Sequence, residues 1–225
     1  VTSVGDYAFV ECNNAVNITI PDSVTSIGIC AFSGCESITS IKIPGSVKEI
    51  RACAFSGGSS LTSIEIPEGV MGIDACAFMG CRNMTDITLP DSLIFIGYSA
   101  FEGWSSLTSI DIPKGVLGID YSAFAGCKEL KSITLPQNIK NIAGELFQGC
   151  SSLTDVEIPE GVTEIERNAF EDCTNLETVT IPRSVTDIGE NIFKNCISLK
   201  TVKYAGKKTE WDKIQIKDSW LKGIE

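Results

Sequence analysis

Eight prolines stand at positions 21, 44, 67, 90, 113, 136, 159 and 182, an unbroken step of 23 residues that few chain topologies can accommodate. A strict period in this range marks a solenoid, in which one short supersecondary unit is stacked on the next. The phenylalanines keep the same step, from Phe9, Phe32 and Phe55 through Phe78, Phe101, Phe124, Phe147 and Phe170 to Phe193, with only Phe95 out of register. Each unit reads L-x-x-I-x-I-P-x-S/G-V-x-x-I-x-x-x-A-F-x-G-C-x-x. Val1 falls at the V of a unit, which predicts that the array continues upstream.

Within a unit, the segment Leu61-Thr62-Ser63-Ile64-Glu65-Ile66-Pro67 alternates apolar and polar side chains and is rich in β-branched residues, the pattern of a half-buried strand. Strands repeating at this interval stack in parallel. The closing proline has no N–H to give to the ladder and stops it, and the Ser or Gly two positions later supports a turn. V-x-x-I is expected to form a second extended side. A-F-x-G-C, with alanine and phenylalanine inward, has room for one helical or 3₁₀ turn. The expected architecture is therefore a β-dominated, right-handed solenoid of 23-residue coils over residues 1–202, with a parallel sheet on one side and short helical or 3₁₀ turns on the other. The proline is missing after Thr201-Val202-Lys203-Tyr204, and residues 203–225 hold six lysines against four acids in a chain of net charge -11. That stretch is expected to be a terminal cap, with Trp211, Ile214, Ile216, Trp220 and Leu221 covering the last coil.

Composition removes many functions. The chain has no histidine, so catalytic triads, histidine bases and histidine-containing metal sites are excluded. Net charge -11 opposes binding to phosphate backbones and anionic lipid, so no nucleic-acid partner is expected. No apolar run approaches the roughly 20 residues needed to span a bilayer, and no membrane insertion is expected.

The units resemble the leucine-rich repeats of the BspA-like bacterial surface proteins. Ser23-Val24-Thr25-Ser26-Ile27-Gly28 and Ala31-Phe32-Ser33-Gly34-Cys35 carry the likeness, and Tyr204-Ala205-Gly206 with Glu210-Trp211 looks like the ending such arrays often have. The resemblance covers residues 1 to about 202. It implies a leucine-rich-repeat solenoid, an extracellular or cell-surface location, adhesion to host or matrix proteins or to other cells, and no catalytic motif or cofactor.

Ten cysteines in a secreted chain suggest disulfides, but their positions follow the period. Cys12, Cys35, Cys81, Cys127, Cys150, Cys173 and Cys196 all lie three residues after the repeated Phe, with Gly58 and Trp104 in the same slot elsewhere. This is read as a core column of free thiols acting as small apolar residues. Cys30, Cys53 and Cys76 form a second column, two residues before the Phe. A zinc site built on Cys30, Cys35, Cys76 and Cys81 is set aside because the period already accounts for the spacing, and no metal site is expected.

Two surfaces are candidates for binding. On the outward strand face stand Glu65, Asp86, Asp111, Asp155 and Glu157. Asp155 and Glu157 share a face about 7 Å apart, a separation that an inverting glycosidase uses, but nothing aromatic stands beside them to stack a sugar. The second candidate is the column four residues after each proline: Thr25, Lys48, Met71, Ile94, Leu117, Lys140, Thr163, Thr186. Three successive apolar residues replace polar ones there, Phe95 follows Ile94, and Tyr98 and Tyr121 come soon after. If exposed, Met71, Ile94, Phe95, Leu117, Tyr98 and Tyr121 form a contact surface for another protein or a second copy of this chain. The sequence thus favours a non-catalytic recognition and adhesion module, with a structural stalk as the alternative and a glycosidase as a remote one.

Overall fold

In the computed structural model, which describes residues 1–217, each coil has three sides. The first carries the strands Ser40–Lys42, Ser63–Glu65, Ser109–Asp111, Ser132–Thr134, Asp155–Glu157, Thr178–Ile181 and Thr201–Tyr204. Paired residues are one repeat apart: Ile41 lies beside Ile64, Ile110 beside Ile133 and Val156 beside Val179, all parallel. The central residue of each three-residue strand is buried and its neighbours are exposed, as the alternation requires. The strands are short because the proline two residues on cannot donate, and in most coils the proline carbonyl instead accepts the N–H of the residue three further on, as in Val47 N–H to Pro44 O at 3.0 Å.

The second side is also a sheet, where the sequence suggested only extended chain. Two-residue strands at Glu49–Ile50, Gly72–Ile73, Phe95–Ile96 and Gly118–Ile119 pair in parallel, and a second group starts at Asn141–Ile142 and continues through Glu164–Ile165 and Asp187–Ile188. The isoleucine of each strand points into the core and the residue before it points out.

The third side, A-F-x-G-C, consists of consecutive turns with no helical residue. Two left-handed positions per coil prevent the helical or 3₁₀ turn expected from its length. One lies two residues before the Phe and holds Tyr7, Cys30, Cys53, Cys76, Ser99, Ser122, Glu145, Asn168 and Asn191, with φ between 51° and 59°. The other lies two residues after it, where Gly34, Gly57 and their equivalents have φ near 70° and where Asp172 and Asn195 stand in later coils. Alternate N–H groups consequently point along the solenoid. Cys30, Phe32 and Gly34 donate to Ala52, Ala54 and Ser56 of the next coil at 2.7–2.9 Å, while Ser33 donates back to Cys30 within its own coil at 3.1 Å. All three sides are thus tied coil to coil by backbone hydrogen bonds.

The core is one continuous line. Phe32, Phe78, Phe101, Phe124, Phe147 and Phe170 are almost wholly buried, and successive rings stack with centroids 5.2–6.1 Å apart along the whole run from Phe9 to Phe193. Offset stacks at this spacing suit the aromatic quadrupole. Columns of Ile, Leu, Val and Ala from the other sides complete the packing.

In the last coil, Thr201–Tyr204 pairs with Thr178–Ile181, and a one-turn helix, Lys208–Trp211, replaces the proline turn. Gln215–Ile216 then rejoins the second sheet beside Asp187–Ile188, a step of 28 residues instead of 23. Trp211 is buried with its ring 5.3 Å from Tyr204, and Ile214 and Ile216 pack on the core. Trp220 and Leu221, also expected in this cap, lie outside the described residues.

Candidate functional site

The apolar column lies on the second side and faces outward. Main-chain hydrogen bonds fix its spacing: Met71 N–H to Lys48 O, Ile94 N–H to Met71 O and Leu117 N–H to Ile94 O, each 2.9 Å. Met71, Ile94 and Leu117 are 47%, 44% and 58% exposed, and beside them Phe95 and Tyr98 are 41% and 49% exposed. The inward neighbours Val70, Leu93 and Val116 are fully buried, so the apolar requirement of each coil is met without the column. Phe95 leans toward the next coil. A methyl group added to Gly118 would come within 3.2 Å of its ring, so part of the ring covers bare backbone.

Tyr121 is placed differently from the other five candidates. It is half-buried and its ring lies over Gly144 of the following coil, where an added Cβ would stand 2.3 Å from a ring carbon. Its phenol hydrogen-bonds Glu166, which, with burial, pushes the phenol up to about 12, and the Arg167 guanidinium sits 5.9 Å from the ring centroid. Glu166 is in turn held by Asn141 Nδ2 at 2.6 Å and by the N–H of Gly144 at 3.2 Å. The ring therefore faces away from Leu117 and toward the polar coils.

On the first side, Glu65, Asp86, Asp111, Asp155 and Glu157 all stand exposed on the flat outward face. Asp155 accepts from the Thr154 hydroxyl at 3.0 Å, and the cross-strand partners of Asp155 and Glu157 are Thr178 and Thr180. The pair has neither an aromatic platform nor a surrounding wall.

The inner cysteine column does more than fill space. Each buried thiol donates to the carbonyl of a Phe in the preceding coil: Cys35 to Phe9 at 3.0 Å, Cys150 to Phe124 at 3.2 Å, Cys173 to Phe147 at 3.1 Å and Cys196 to Phe170 at 3.0 Å. Trp104 occupies the same slot and its indole N–H makes the same bond, to Phe78 O at 2.7 Å. Burial pushes the thiols of Cys81 and Cys127 up to about 12, so they are held as donors rather than as thiolates. All ten cysteines are free. The residue types at this slot carried the signal: thiol and indole share little except an apolar body with one donor.

Comparison with known proteins supplies the wider setting. A family model described as BspA type leucine rich repeat region matches in six copies over residues 2–131 and 96–219. A leucine-rich repeat protein from Bacteroides ovatus superposes with a TM-score of 0.74 at 32% identity over 91% of this chain, which spans 59% of that protein. A leucine rich cell surface protein from Faecalibacterium prausnitzii gives a TM-score of 0.58 at 29% identity, covering 96% of this chain and 72% of that one. The leucine-rich repeat protein of T. pallidum, at 24% identity and a TM-score of 0.63 over 97% of this chain and 90% of that one, shares the fold. Among curated proteins no relative matches.

Proposed function

The chain belongs to the BspA-type leucine-rich repeat family, and from that premise we propose that it is a non-catalytic recognition module, working at a bacterial cell surface and binding another protein through Met71, Ile94, Phe95, Leu117 and Tyr98. One observation carries this reading: three successive coils expose an apolar side chain at a position that Thr25, Lys48, Lys140, Thr163 and Thr186 fill elsewhere. The coil folds equally well around threonine or lysine, so the apolar residues serve something outside the coil. Exposed apolar clusters of this kind form the centres of protein interfaces, with a polar rim around them.

A different protein fits the column better than a second copy does. The column reads Lys48, Met71, Ile94, Leu117, Lys140, with a lysine at either end. Laid face to face in register, parallel or antiparallel, two copies set lysine against lysine. The surface location named for the F. prausnitzii relative supports a cell-surface setting for this chain, where host-surface and matrix proteins are within reach.

The test compares the wild-type chain with the variant Met71→Thr, Ile94→Lys, Phe95→Ser, Leu117→Thr on immobilised candidate host-surface and matrix proteins. Sedimentation of the chain alone reports self-association. Binding by the wild type and its loss in a folded variant supports the reading. Equal binding by both moves recognition to the strand face, with Glu65, Asp111 and Glu157 the next residues to change. Absence of binding throughout leaves the stalk.

A further inference from the structure

Cys30, Cys53 and Cys76 occupy one left-handed position in three successive coils, with φ of 53°, 56° and 57°. Unlike the inner cysteines they are only half-buried. The coils beneath them are locked in register, with Cys30 N–H bonded to Ala52 O, Cys53 N–H to Ala75 O and Cys76 N–H to Tyr98 O at 2.7–2.9 Å. The Cys53 thiol interacts with both neighbours, Asp6 lies near one end of the column, and Glu102 lies near the other.

Stacked side chains of this kind are poorly arranged for a disulfide. A sulfur–sulfur bond of about 2.05 Å with a dihedral near 90° would have to pull together two groups about 4.8 Å apart and pointing the same way. They are well arranged for a two-coordinate ion. A soft ion held in a line between two sulfurs needs them roughly 4–5 Å apart, a range that includes the coil repeat of about 4.8 Å. Among the described residues no three or more ligating side chains converge on one point, which disfavours a tetrahedral ion and zinc in particular.

We propose that this column binds soft monovalent cations of the Cu(I) class, each held linearly between thiolates of adjacent coils, with Cys53 the ligand common to both pairs. Binding exchanges protons for metal: the first ion takes two thiols to a bis-thiolate of charge -1 with two protons released, and a second ion, sharing Cys53, takes the third thiol and releases one more proton, leaving the filled column at charge -1 with no change of oxidation state. Soft thiolate ligands select such an ion over the hard cations. Asp6, Glu102 and the overall charge of -11 favour cation entry.

The linear arrangement makes the three positions unequal, and that inequality is the test. Reduced full-length chain is titrated anaerobically with Cu(I) in competition with a chromophoric Cu(I) chelator, beside Cys30→Ser, Cys53→Ser and Cys76→Ser. Serine is safe for the fold, because Ser99 and Ser122 hold the same left-handed position in the next two coils. Cys53→Ser leaves two thiols about 9.6 Å apart and is expected to lose affinity by about 100-fold or more, whereas Cys30→Ser and Cys76→Ser each keep one adjacent pair and stay within about 10-fold of wild type. Circular dichroism before and after titration reports whether the coils stay folded. Failure of the wild type to compete with the chelator, equal losses in all three variants, or uptake only with loss of the folded signal overturns the proposal.

Discussion

Two columns of this solenoid break the repeat, and they do so in opposite ways. In the inner column, three residues after each Phe, glycine and tryptophan interrupt a run of cysteines, and the consequences stay inside the core. Trp104 is fully buried, sets its edge against Phe78 and Phe101 at interplanar angles near 80°, and reproduces the thiol's hydrogen bond. Gly58 leaves a small gap lined by Phe32, Cys35, Phe55 and Leu61. In the outer column, four residues after each proline, Met71, Ile94 and Leu117 interrupt threonines and lysines, and the fold makes little use of them. A departure from a repeat points to function when the surrounding structure does not absorb it.

The largest effect expected from this contrast is in the inner column. Trp104→Ala removes a fully buried ring and its donor together and should cost about 3–5 kcal/mol in denaturant unfolding. A cost below about 1 kcal/mol would mean that the inner column tolerates change as freely as the outer one, and the contrast would fail. Gly58→Cys should act in the opposite direction, raising stability by about 1 kcal/mol, because it fills the gap and offers the Phe32 carbonyl the donor other coils supply. A Cβ there would lie 3.3 Å from Phe55 O and 3.5 Å from Cys81 Sγ, a crowding that a small local shift relieves.

Tyr121 sharpens the boundary between the columns. Its phenol is held neutral by Glu166 and burial, with a folded-state value of about 12 against 10.0 for the free group. The stability it contributes is full below the unfolded value and is lost as pH rises from there toward the folded one. Tyrosinate absorbance should therefore show a component titrating near 12, and Glu166→Gln should move that component back toward the free value of 10.0. If the component near 12 is absent and Tyr121 titrates near the free value of 10.0, its ring belongs to the exposed patch after all. The smallest effects belong to the surface. The quadruple patch variant should keep its melting temperature within a few degrees, and Ser109→Ala on the strand face should stay within about 0.5 kcal/mol.

Much of the fold was legible in the sequence because the features that specify it are chemically uniform. A proline closes the first-side segment of every coil before the last, and Phe, preceded in most coils by Ala, marks the inward side of every turn. The turn conformation was not legible for the opposite reason: Tyr7, Cys53, Ser99, Glu145 and Asn168 all adopt the same left-handed conformation, and among them only asparagine favours it by its own chemistry. The exposed patch could be picked out because Ile94 and Phe95 contradict their columns. The direction of Tyr121 could not, since it depends on Gly144 in the next coil being bare enough to receive the ring.

The hydrogen bonds that join each coil to the next run along the long axis on all three sides, so tension applied to the ends of the array pulls on them end to end. A coil can resist only as strongly as its own few bonds and its one stacked ring, and when it yields its neighbour still keeps all its contacts on the far side. Under load the array should therefore peel one coil at a time, each event releasing about 23 residues, or roughly 75 Å of chain at full extension. A tether built this way lengthens in steps and dissipates force while the coils farther along remain folded.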